Sequence, residues 1–284
     1  MTFFAFSFSG IGQLSTISKT TEALDKALIN SNLGQLLALT GPETIFMLDY
    51  QRTLQGSSQL QQYYGKLFNA QDIKTIKRRV KETFTLGKLD FEMGIFTKTF
   101  IRNSDQKTII HNGKYWCIWE RVGADTQLFA YVEGYHQEIP KDEYVVLDLG
   151  IEPTNNGTIE LKAYAALGEK AIREWDPELR ILLYEDDAIF YPFADTAKVG
   201  IEILAPYLRG YHQNDIKIDF ITGKPFAYRY FDGYVLQCST FEVDWHFNEA
   251  SGTNKGKGIT LWKRQPDHSL KIYRKIGSHD DLTP

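Results

Sequence analysis

The sequence is poor in cysteine, has no long apolar run and carries no large surplus of either charge. Its 284 residues include two cysteines, Cys117 and Cys238, which is typical of free thiols in a reducing compartment and not of a disulfide framework. The 32 basic and 36 acidic residues give a net charge of −4, which argues against nucleic-acid binding and against a polybasic membrane-surface protein. No stretch approaches the ~20 apolar residues of a transmembrane helix. We therefore predict a cytoplasmic protein whose partners include neither nucleic acid nor a membrane.

Aromatic residues are abundant, and several of them open the chain. The first residues, MTFFAFSFSGIG, are apolar but lack the basic residues that precede the apolar core of a signal peptide. Phe4, Phe6 and Phe8 occupy alternate positions, so we predict a strand there. Aromatic residues make up 14% of the chain, which fits a sheet-rich protein with apolar pockets.

An internal repeat organises the chain. Residues 113–136 and 256–279 match without a gap at an offset of 143, which pairs Gly113 with Gly256, Lys114 with Lys257, Trp119 with Trp262, Arg121 with Arg264, Gly134 with Gly277 and His136 with His279. Further upstream an offset of 144 pairs Gly56 with Gly200, Leu60 with Leu204 and Tyr63 with Tyr207. We interpret the chain as two diverged copies of one domain, residues 1–136 and 159–284, joined by a linker at 137–158.

Each copy begins with helices and ends with strands. Asp176-Pro177 has the sequence of a helix cap followed by proline at the first helical position, and Asn32 stands three residues before Gln35 at the matching place. These residues predict a second short helix in each copy. Helices followed by consecutive strands indicate the α+β class with antiparallel sheets.

Glycine and proline predict where the later elements turn or bend. Asn112-Gly113 and Asp232-Gly233 have the composition of tight turns between strands. Pro206 falls inside the third helix of the second copy, where it is expected to shorten or kink the helix.

The second copy also resembles a known family. It contains LLYEDDAIFYPFADTAKVGIEIL and later GKGITLWKRQPDHSLKIYRKIGSHDD, and these stretches resemble the NTF2-like superfamily, especially its SnoaL-like and ketosteroid-isomerase-like members. The matching residues are Tyr184, Asp186, Asp187, Ala188, Gly200, Trp262, Lys263, Arg264, Asp267 and Ile272. The resemblance implies two cone-shaped domains, each with about three helices packed on a curved antiparallel sheet and an apolar pocket in its mouth. It leaves the function open, since the superfamily includes isomerases, dehydratases, cyclases and pure binding modules.

The residues depart from the catalytic pattern of ketosteroid isomerases. In those enzymes the catalytic aspartate follows the first short strand, just before a proline. Here Tyr191 stands directly before Pro192 in the second copy, and the matching region of the first copy offers Leu48 and Asp49. Isomerase activity is therefore not carried over from the resemblance.

His136 and His279 are candidate acid–base residues, because each ends the last strand of its copy, where this fold brings the chain to the rim of the pocket. A histidine there can exchange a proton near neutral pH. The catalytic hypothesis uses His279 as the base, with Tyr191 or Tyr184 as the hydrogen-bond donor. The alternative is that both histidines are capping or core residues.

Aromatic side chains are candidates for the lining of a pocket. We predict that the lining includes Trp175, Tyr191, Tyr228, Trp245 and Trp262 in the second copy, with Trp119 and His136 in the first. The alternative is that they are ordinary core residues. We find no metal-ligand spacing and no nucleotide fingerprint, and therefore predict no cofactor.

These observations favour a tandem protein that binds a small apolar or aromatic molecule, with the better pocket in the second copy. The alternative is a SnoaL-like isomerase, dehydratase or cyclase that uses His279 and a tyrosine for proton transfer. We expect the two domains to pack against each other as an intramolecular pseudo-dimer, with a homodimer of the whole chain as a further expectation.

Overall fold

The computed structural model describes residues 11–211 and 216–280, and within them it shows two halves of the same architecture. The first half runs through α1 (Ile11–Ile29), α2 (Leu33–Ala38), β1 (Thr40–Leu48), β2 (Leu54–Gln55), α3 (Gly56–Ala70), β3 (Gln71–Leu86), β4 (Leu89–Arg102), β5 (Thr108–Val122) and β6 (Asp125–Tyr135). The second half runs through α4 (Ile159–Arg173), α5 (Pro177–Leu182), β7 (Tyr184–Tyr191), β8 (Lys198–Val199), α6 (Ile201–Tyr211), β9 (Lys217–Phe231), β10 (Tyr234–Phe247), β11 (Ala250–Arg264) and β12 (Leu270–His279).

Each half contains one six-stranded sheet, and the two sheets have the same strand order. The orders are β2-β1-β6-β5-β4-β3 and β8-β7-β12-β11-β10-β9. The predicted α+β class is confirmed, and both halves show the order of helices and strands that the resemblance implies. The sheets are mixed, however, and not purely antiparallel as expected, because β1 pairs with β6, and β7 with β12, in parallel.

Local sequence signals give the helix starts correctly. The side chain of Asn32 accepts a hydrogen bond from the Gln35 amide at 2.9 Å, and the side chain of Asp176 accepts one from the Leu179 amide at 2.8 Å. Both caps satisfy an amide that has no partner within its helix. Pro206 does not end α6, which continues to Tyr211.

The predicted turn at Asn112-Gly113 is wrong, because both residues lie inside β5. The ring of Phe96 on β4 occupies the space above Gly113, and a Cβ atom there would lie 2.4 Å from the ring. Gly113 is therefore required by close packing and not by a turn. Asp232-Gly233 does form the turn between β9 and β10, with Gly233 at φ +72°.

The strand register corrects the pairing of the repeat. Lys114 pairs with Gly134 in the first sheet, and its counterpart Lys257 pairs with Ser278 in the second. The offset is thus 143 in β5 and β11 but 144 in β6 and β12. The predicted pairings of Gly134 with Gly277 and of His136 with His279 are therefore wrong by one residue. The counterpart of Gly277 is Glu133, and the counterpart of His279 is Tyr135.

The two sheets pack face to face through one shared apolar core. Side chains that are almost fully buried come from both halves, among them Met47, Phe91, Met93, Trp116, Ile118, Val132, Leu236, Cys238, Ile259, Leu261 and Ile276. At its edge Arg274 of β12 donates two hydrogen bonds to Glu82 of β3, at 2.7 and 3.0 Å.

Two fully buried lysines bond the halves reciprocally. The Lys114 Nζ donates to the carbonyl of Asp195 at 3.2 Å, and the Lys257 Nζ donates to the carbonyl of Gln51 at 2.6 Å. Lys257 is the counterpart of Lys114, and Asp195 follows Gln51 by 144 residues. The same contact is therefore made twice, as in a two-fold symmetric interface.

Three sequence expectations concern the ends and joints of the chain. Strand β6 ends at Tyr135 and α4 begins at Ile159, while the domain boundaries at 136 and 159 stay a prediction. The strand predicted around Phe4, Phe6 and Phe8 lies outside the described residues. Among the described helices, none is long and apolar enough to cross a membrane.

Candidate functional site

A small cavity lies in the first half, between the sheet, α1, α3 and the linker. Its volume is about 30 Å³, which is room for about one water molecule. Its lining combines four charged residues, four tyrosines and one glutamine with apolar side chains: Asp49, Lys98, Glu133, Glu143, Tyr63, Tyr64, Tyr135, Tyr144, Gln71, Leu28, Leu48, Leu67, Ile73, Phe100 and Val145. Charged groups are rarely this well buried unless they are paired or functional.

An ion pair forms the polar wall of this cavity. Lys98 of β4 contacts Glu133 of β6, and the two residues are 8% and 6% exposed. The Tyr131 hydroxyl donates to the other carboxylate oxygen of Glu133 at 2.5 Å. Burial alone would raise the pKa of Glu133, but Lys98 and Tyr131 outweigh it and hold that pKa below its ordinary value. Glu133 is therefore a carboxylate at neutral pH.

The network continues from the ion pair to α1. The Tyr131 hydroxyl accepts a hydrogen bond from Arg78 Nη2 at 3.3 Å, and Arg78 donates to both oxygens of Asp25 at 2.7 to 2.9 Å. The guanidinium of Arg78 also lies 4.1 Å from the ring centre of Tyr115. Such a bidentate, partly buried network fixes its members in one arrangement. Through the Tyr131 hydroxyl, this network fixes the position of the Glu133 carboxylate.

Asp49 is the second carboxylate of the cavity, and it follows β1 directly. It is 7% exposed; its Oδ2 accepts a hydrogen bond from the Tyr135 amide at 2.7 Å, while its Oδ1 has no partner among the described residues. Burial raises the pKa of Asp49, although Lys114, Ser278 and Lys257 oppose the shift. A buried carboxyl with a raised pKa is closer to the proton affinity that acid–base catalysis requires.

The linker closes the cavity. Glu143 accepts a hydrogen bond from Lys107 at 2.9 Å, and its other oxygen lies 3.1 Å from His111 Nε2. Tyr144 stacks on Tyr50 with ring centres 4.1 Å apart. The Gln51 side chain then bonds the backbone of the linker at residues 147 and 149, over 2.7 to 3.1 Å.

A larger open cleft lies on the outer side of the linker. Its volume is about 460 Å³, which is within the range of small-molecule sites. The cavity and the cleft share Gln71, Phe100, Glu143, Tyr144 and Val145. These five residues, three of which belong to the linker, therefore lie between the two spaces.

The second half does not repeat the charged interior. By strand register, Gly223, Val243 and Gly277 replace Arg78, Lys98 and Glu133. Phe193, two residues after the end of β7, takes the place of Asp49. Both cavities described here lie in the first half, contrary to the expectation of a better pocket in the second.

The three proposed catalytic residues are not brought together. The His279 ring stacks on Phe193 at 4.2 Å and meets Phe241 edge-on at 5.4 Å. Tyr191 belongs to the core between the sheets, 6.3 Å from Trp116, whereas Tyr184 belongs to the core beneath the helices of the second half. Burial, with Lys257 and Lys114, lowers the pKa of His279 to about 4, so the ring is neutral at pH 7.

The predicted pocket aromatics lie in different places. Trp119 and Trp262 are buried, and their indole nitrogens donate to Thr21 at 3.2 Å and to Gln237 at 2.9 Å. Tyr228 packs beside the same core as Trp262.

The remaining pocket candidates lie at the margins of the halves. Trp175 follows the end of α4 in a left-handed conformation, with φ +56°. Trp245 covers Gly252, and its Nε1 is buried without a partner among the described residues. Burial and Lys114 lower the pKa of His136. The role of all these aromatic residues and of His136 in ligand binding stays a prediction.

Sequence reasoning missed Lys98, Glu133 and Glu143 and set Asp49 aside. One signal was available, since Lys98 and Glu133 each occupy the position of an inward-facing residue in an otherwise apolar strand. Their pairing across β4 and β6 depends on the sheet order, which the sequence does not show.

Neither a protein-family model nor a curated protein matches the chain. Solved structures do resemble it. A ketosteroid isomerase-like protein from Erwinia carotovora atroseptica is 13% identical over 44% of this chain and 98% of its own, with a TM-score of 0.41. ActVI-ORFA from Streptomyces coelicolor is 15% identical over 44% of this chain and 96% of its own, with a TM-score of 0.38.

A third similar structure is an NTF2-like superfamily protein from Salmonella enterica serovar Typhimurium, 15% identical over 44% of this chain and 92% of its own, with a TM-score of 0.37. The order of elements and the strand pairing in each half agree with the fold that the NTF2-like resemblance implies. A shared fold carries no activity with it.

Proposed function

We propose that the first half binds a small aromatic molecule with a hydrogen-bonding group, in the cleft and cavity beneath the linker. The observation that carries this proposal is the position of the Lys98–Glu133 pair and of Asp49. These groups line a cavity that shares Gln71, Phe100 and the segment from Glu143 to Val145 with a cleft of about 460 Å³.

The two spaces suit the two ends of such a molecule. Phe100 and Tyr144 line both spaces, and their rings would contact an aromatic ring in the cleft once the linker has moved. Glu133 and Asp49 accept hydrogen bonds at the inner end, and a donor such as a hydroxyl would meet them there. Specific pockets combine an apolar lining with a few convergent polar groups in this way.

Binding requires the linker to move. A cavity of about 30 Å³ holds no molecule larger than water, so Tyr144 and Val145 must shift to join it to the cleft. The affinity therefore includes the cost of opening the linker, and a weaker linker contact raises the apparent affinity. In this proposal the second half is the partner of an intramolecular pseudo-dimer that supports the back of the first sheet.

A fluorescence titration with 1-naphthol tests the proposal. We expect Glu133→Gln and Phe100→Ala to weaken binding about tenfold, because each removes one half of the recognition. Glu143→Gln is expected to strengthen binding severalfold, because it loosens the linker from His111 and Lys107. Phe220→Ala, on the exposed surface of the second half, is the control and leaves binding unchanged.

The titration contradicts the proposal if all four variants bind 1-naphthol as the unsubstituted protein does. Far-UV circular dichroism of each variant distinguishes lost binding from lost folding, which matters most for Phe100 because it is 2% exposed.

The raised pKa of Asp49 favours a second candidate, proton transfer in the same site. Asp49 follows β1, which is the place where ketosteroid isomerases carry their base. In this form of the enzyme hypothesis Asp49 takes the proton, and His279 does not, because a neutral imidazole with a pKa of about 4 is a weak base.

Deuterium exchange into 2-tetralone, followed by NMR in heavy water, tests the second candidate. We expect catalysed exchange of the α-protons that Asp49→Asn abolishes and His279→Ala retains. Exchange that depends on His279 would instead support the alternative based on His279 and a tyrosine. If 2-tetralone binds and no exchange is catalysed, the second candidate is contradicted and only the binding function remains.

A further inference from the structure

Two cationic side chains of the second half are partly buried. Arg180 lies on α5 and Lys275 on β12, and neither makes an ion pair with any residue in the part of the chain that the structure describes. The Nη1 atom of Arg180 is buried and has no hydrogen-bond partner there. The single acidic side chain of α5, Glu178, is already bonded to Arg209 at 2.6 and 3.0 Å.

Both cations face one aromatic cluster. The Lys275 Nζ lies 5.7 Å from the ring centre of Phe190, and the Arg180 guanidinium lies 5.1 Å from that of Tyr211. Tyr207 connects the two, with ring centres 6.3 Å from Phe190 and 6.5 Å from Tyr211. Burial and the positive charge of Arg180 together lower the pKa of Lys275 to about 8.

The first half carries neutral side chains at the two matching positions. At the offset of 144 that relates the helix caps and the last strands, Leu36 corresponds to Arg180 and Tyr131 corresponds to Lys275. Leu36 and Tyr131 are 0% and 1% exposed and belong to the core of the first half. The second half thus places two positive charges at positions that the first half fills with neutral core side chains.

Two like charges in such surroundings are costly without a counter-ion, since each loses hydration and repels the other. We propose that Arg180 and Lys275 form an anion site that takes the carboxylate of a small aromatic acid, with the aromatic ring of the acid against Phe190 and Tyr207. The guanidinium offers a planar fork that matches a carboxylate, and the ammonium adds a second positive charge beside the same row of rings. The neighbouring rings supply the apolar surface that inorganic anions do not use.

Calorimetric titration of the full chain with benzoate tests this site, with benzyl alcohol as the neutral probe. We expect benzoate to bind and benzyl alcohol not to bind. Arg180→Gln and Lys275→Gln are each expected to weaken benzoate binding at least tenfold, because each removes a charge-assisted hydrogen bond. Lys162→Gln on the exposed face of α4 is the matched control, and Glu133→Gln confirms that the site in the first half is not involved.

The melting temperature of the ligand-free protein gives a second test. If Lys275 had a purely structural role, its substitution would lower the melting temperature. Without ligand, Lys275→Met is expected to raise the melting temperature by several degrees, because it removes an unpaired charge, while it abolishes the benzoate response. Benzoate binding that survives both Arg180→Gln and Lys275→Gln would overturn the proposal. So would equal stabilisation by benzyl alcohol, or a Lys275→Met variant that both melts lower and binds benzoate as before.

Discussion

At the scale of single residues, two glycines show how closely the interiors are packed. A Cβ atom at Gly113 would lie 2.4 Å from the Phe96 ring and 2.4 Å from the Gly134 carbonyl oxygen. At Gly256 the corresponding distances are 2.3 Å to the Phe241 ring and 2.4 Å to the Ser278 carbonyl oxygen. The sheet could accommodate a methyl group only by moving backbone, since the carbonyls are fixed by the strand pairing.

We therefore expect Gly113→Ala to lower the free energy of unfolding by more than about 2 kcal/mol. Gly65→Ala in α3 is the control, because its Cβ would meet no atom within 4 Å. That substitution is expected to stabilise the protein by about 0.5 to 1 kcal/mol, as alanine favours a helix interior over glycine. Urea unfolding measures both, and equal effects of the two substitutions would contradict the packing argument.

His279 gives the second prediction at this scale. Its pKa in the folded chain is about 4, below the ordinary 6.5, so folding favours the neutral ring. The resulting stability is fully present above pH 6.5 and is lost as the pH falls from 6.5 towards 4. In His279→Phe, which keeps the stack on Phe193, this part of the acid sensitivity should vanish.

The expected difference between the two proteins at pH 5, relative to pH 7, is about 2 kcal/mol in the free energy of unfolding. Chemical unfolding at several pH values measures it. His268→Asn in the last hairpin serves as the comparison. A His279→Phe variant that loses stability as steeply as the unsubstituted protein would show that the ring does not titrate in this range.

At the scale of elements, the linker behaves as part of the first half, although it joins the two. Its backbone is bonded by the hydroxyl of Tyr50 at residue 139, at 2.8 Å, and by the side chain of Gln51 at residues 147 and 149. Tyr50 has a positive φ of 67°, which is unusual for a bulky residue. The stack with Tyr144 helps to hold this conformation.

We expect Tyr144→Ala to free the linker while the sheets stay folded. Hydrogen exchange of the Ile139 and Leu147 amides should become at least tenfold faster, because the stack and its buried area are lost. Val146→Ala on the same segment is the control, since Val146 is 43% exposed. Unchanged exchange in Tyr144→Ala would mean that the stack does not hold the linker.

The elements also show what a sequence can and cannot predict here. The caps at Asn32 and Asp176 were predictable because a cap depends on residues three positions apart. The passage of β5 through Asn112-Gly113 was not, because it depends on Phe96 of the neighbouring strand. Glu133 was missed for a related reason, as its partner Lys98 lies on β4, which the sheet order brings close across β5.

At the scale of the whole molecule, the halves share one core and are therefore expected to unfold together. Leu261→Asp, at a fully buried position between the sheets, should lower the melting temperature by more than about 10 °C or split the calorimetric transition in two. Ile110→Asp, at a position that is 60% exposed, should leave a single transition near that of the unsubstituted protein. A single unshifted transition for Leu261→Asp would contradict a shared core.

The reciprocal bonds of Lys114 and Lys257 have a consequence for how such a chain can evolve. In a dimer of identical subunits every substitution is present in both subunits, so a damaging change removes both copies of a symmetric contact. In a single chain the same substitution enters once, and the other half still supplies its copy of the contact. One half can thus give up a charged interior, as the glycines at 223 and 277 show, while the lysine contacts on both sides remain.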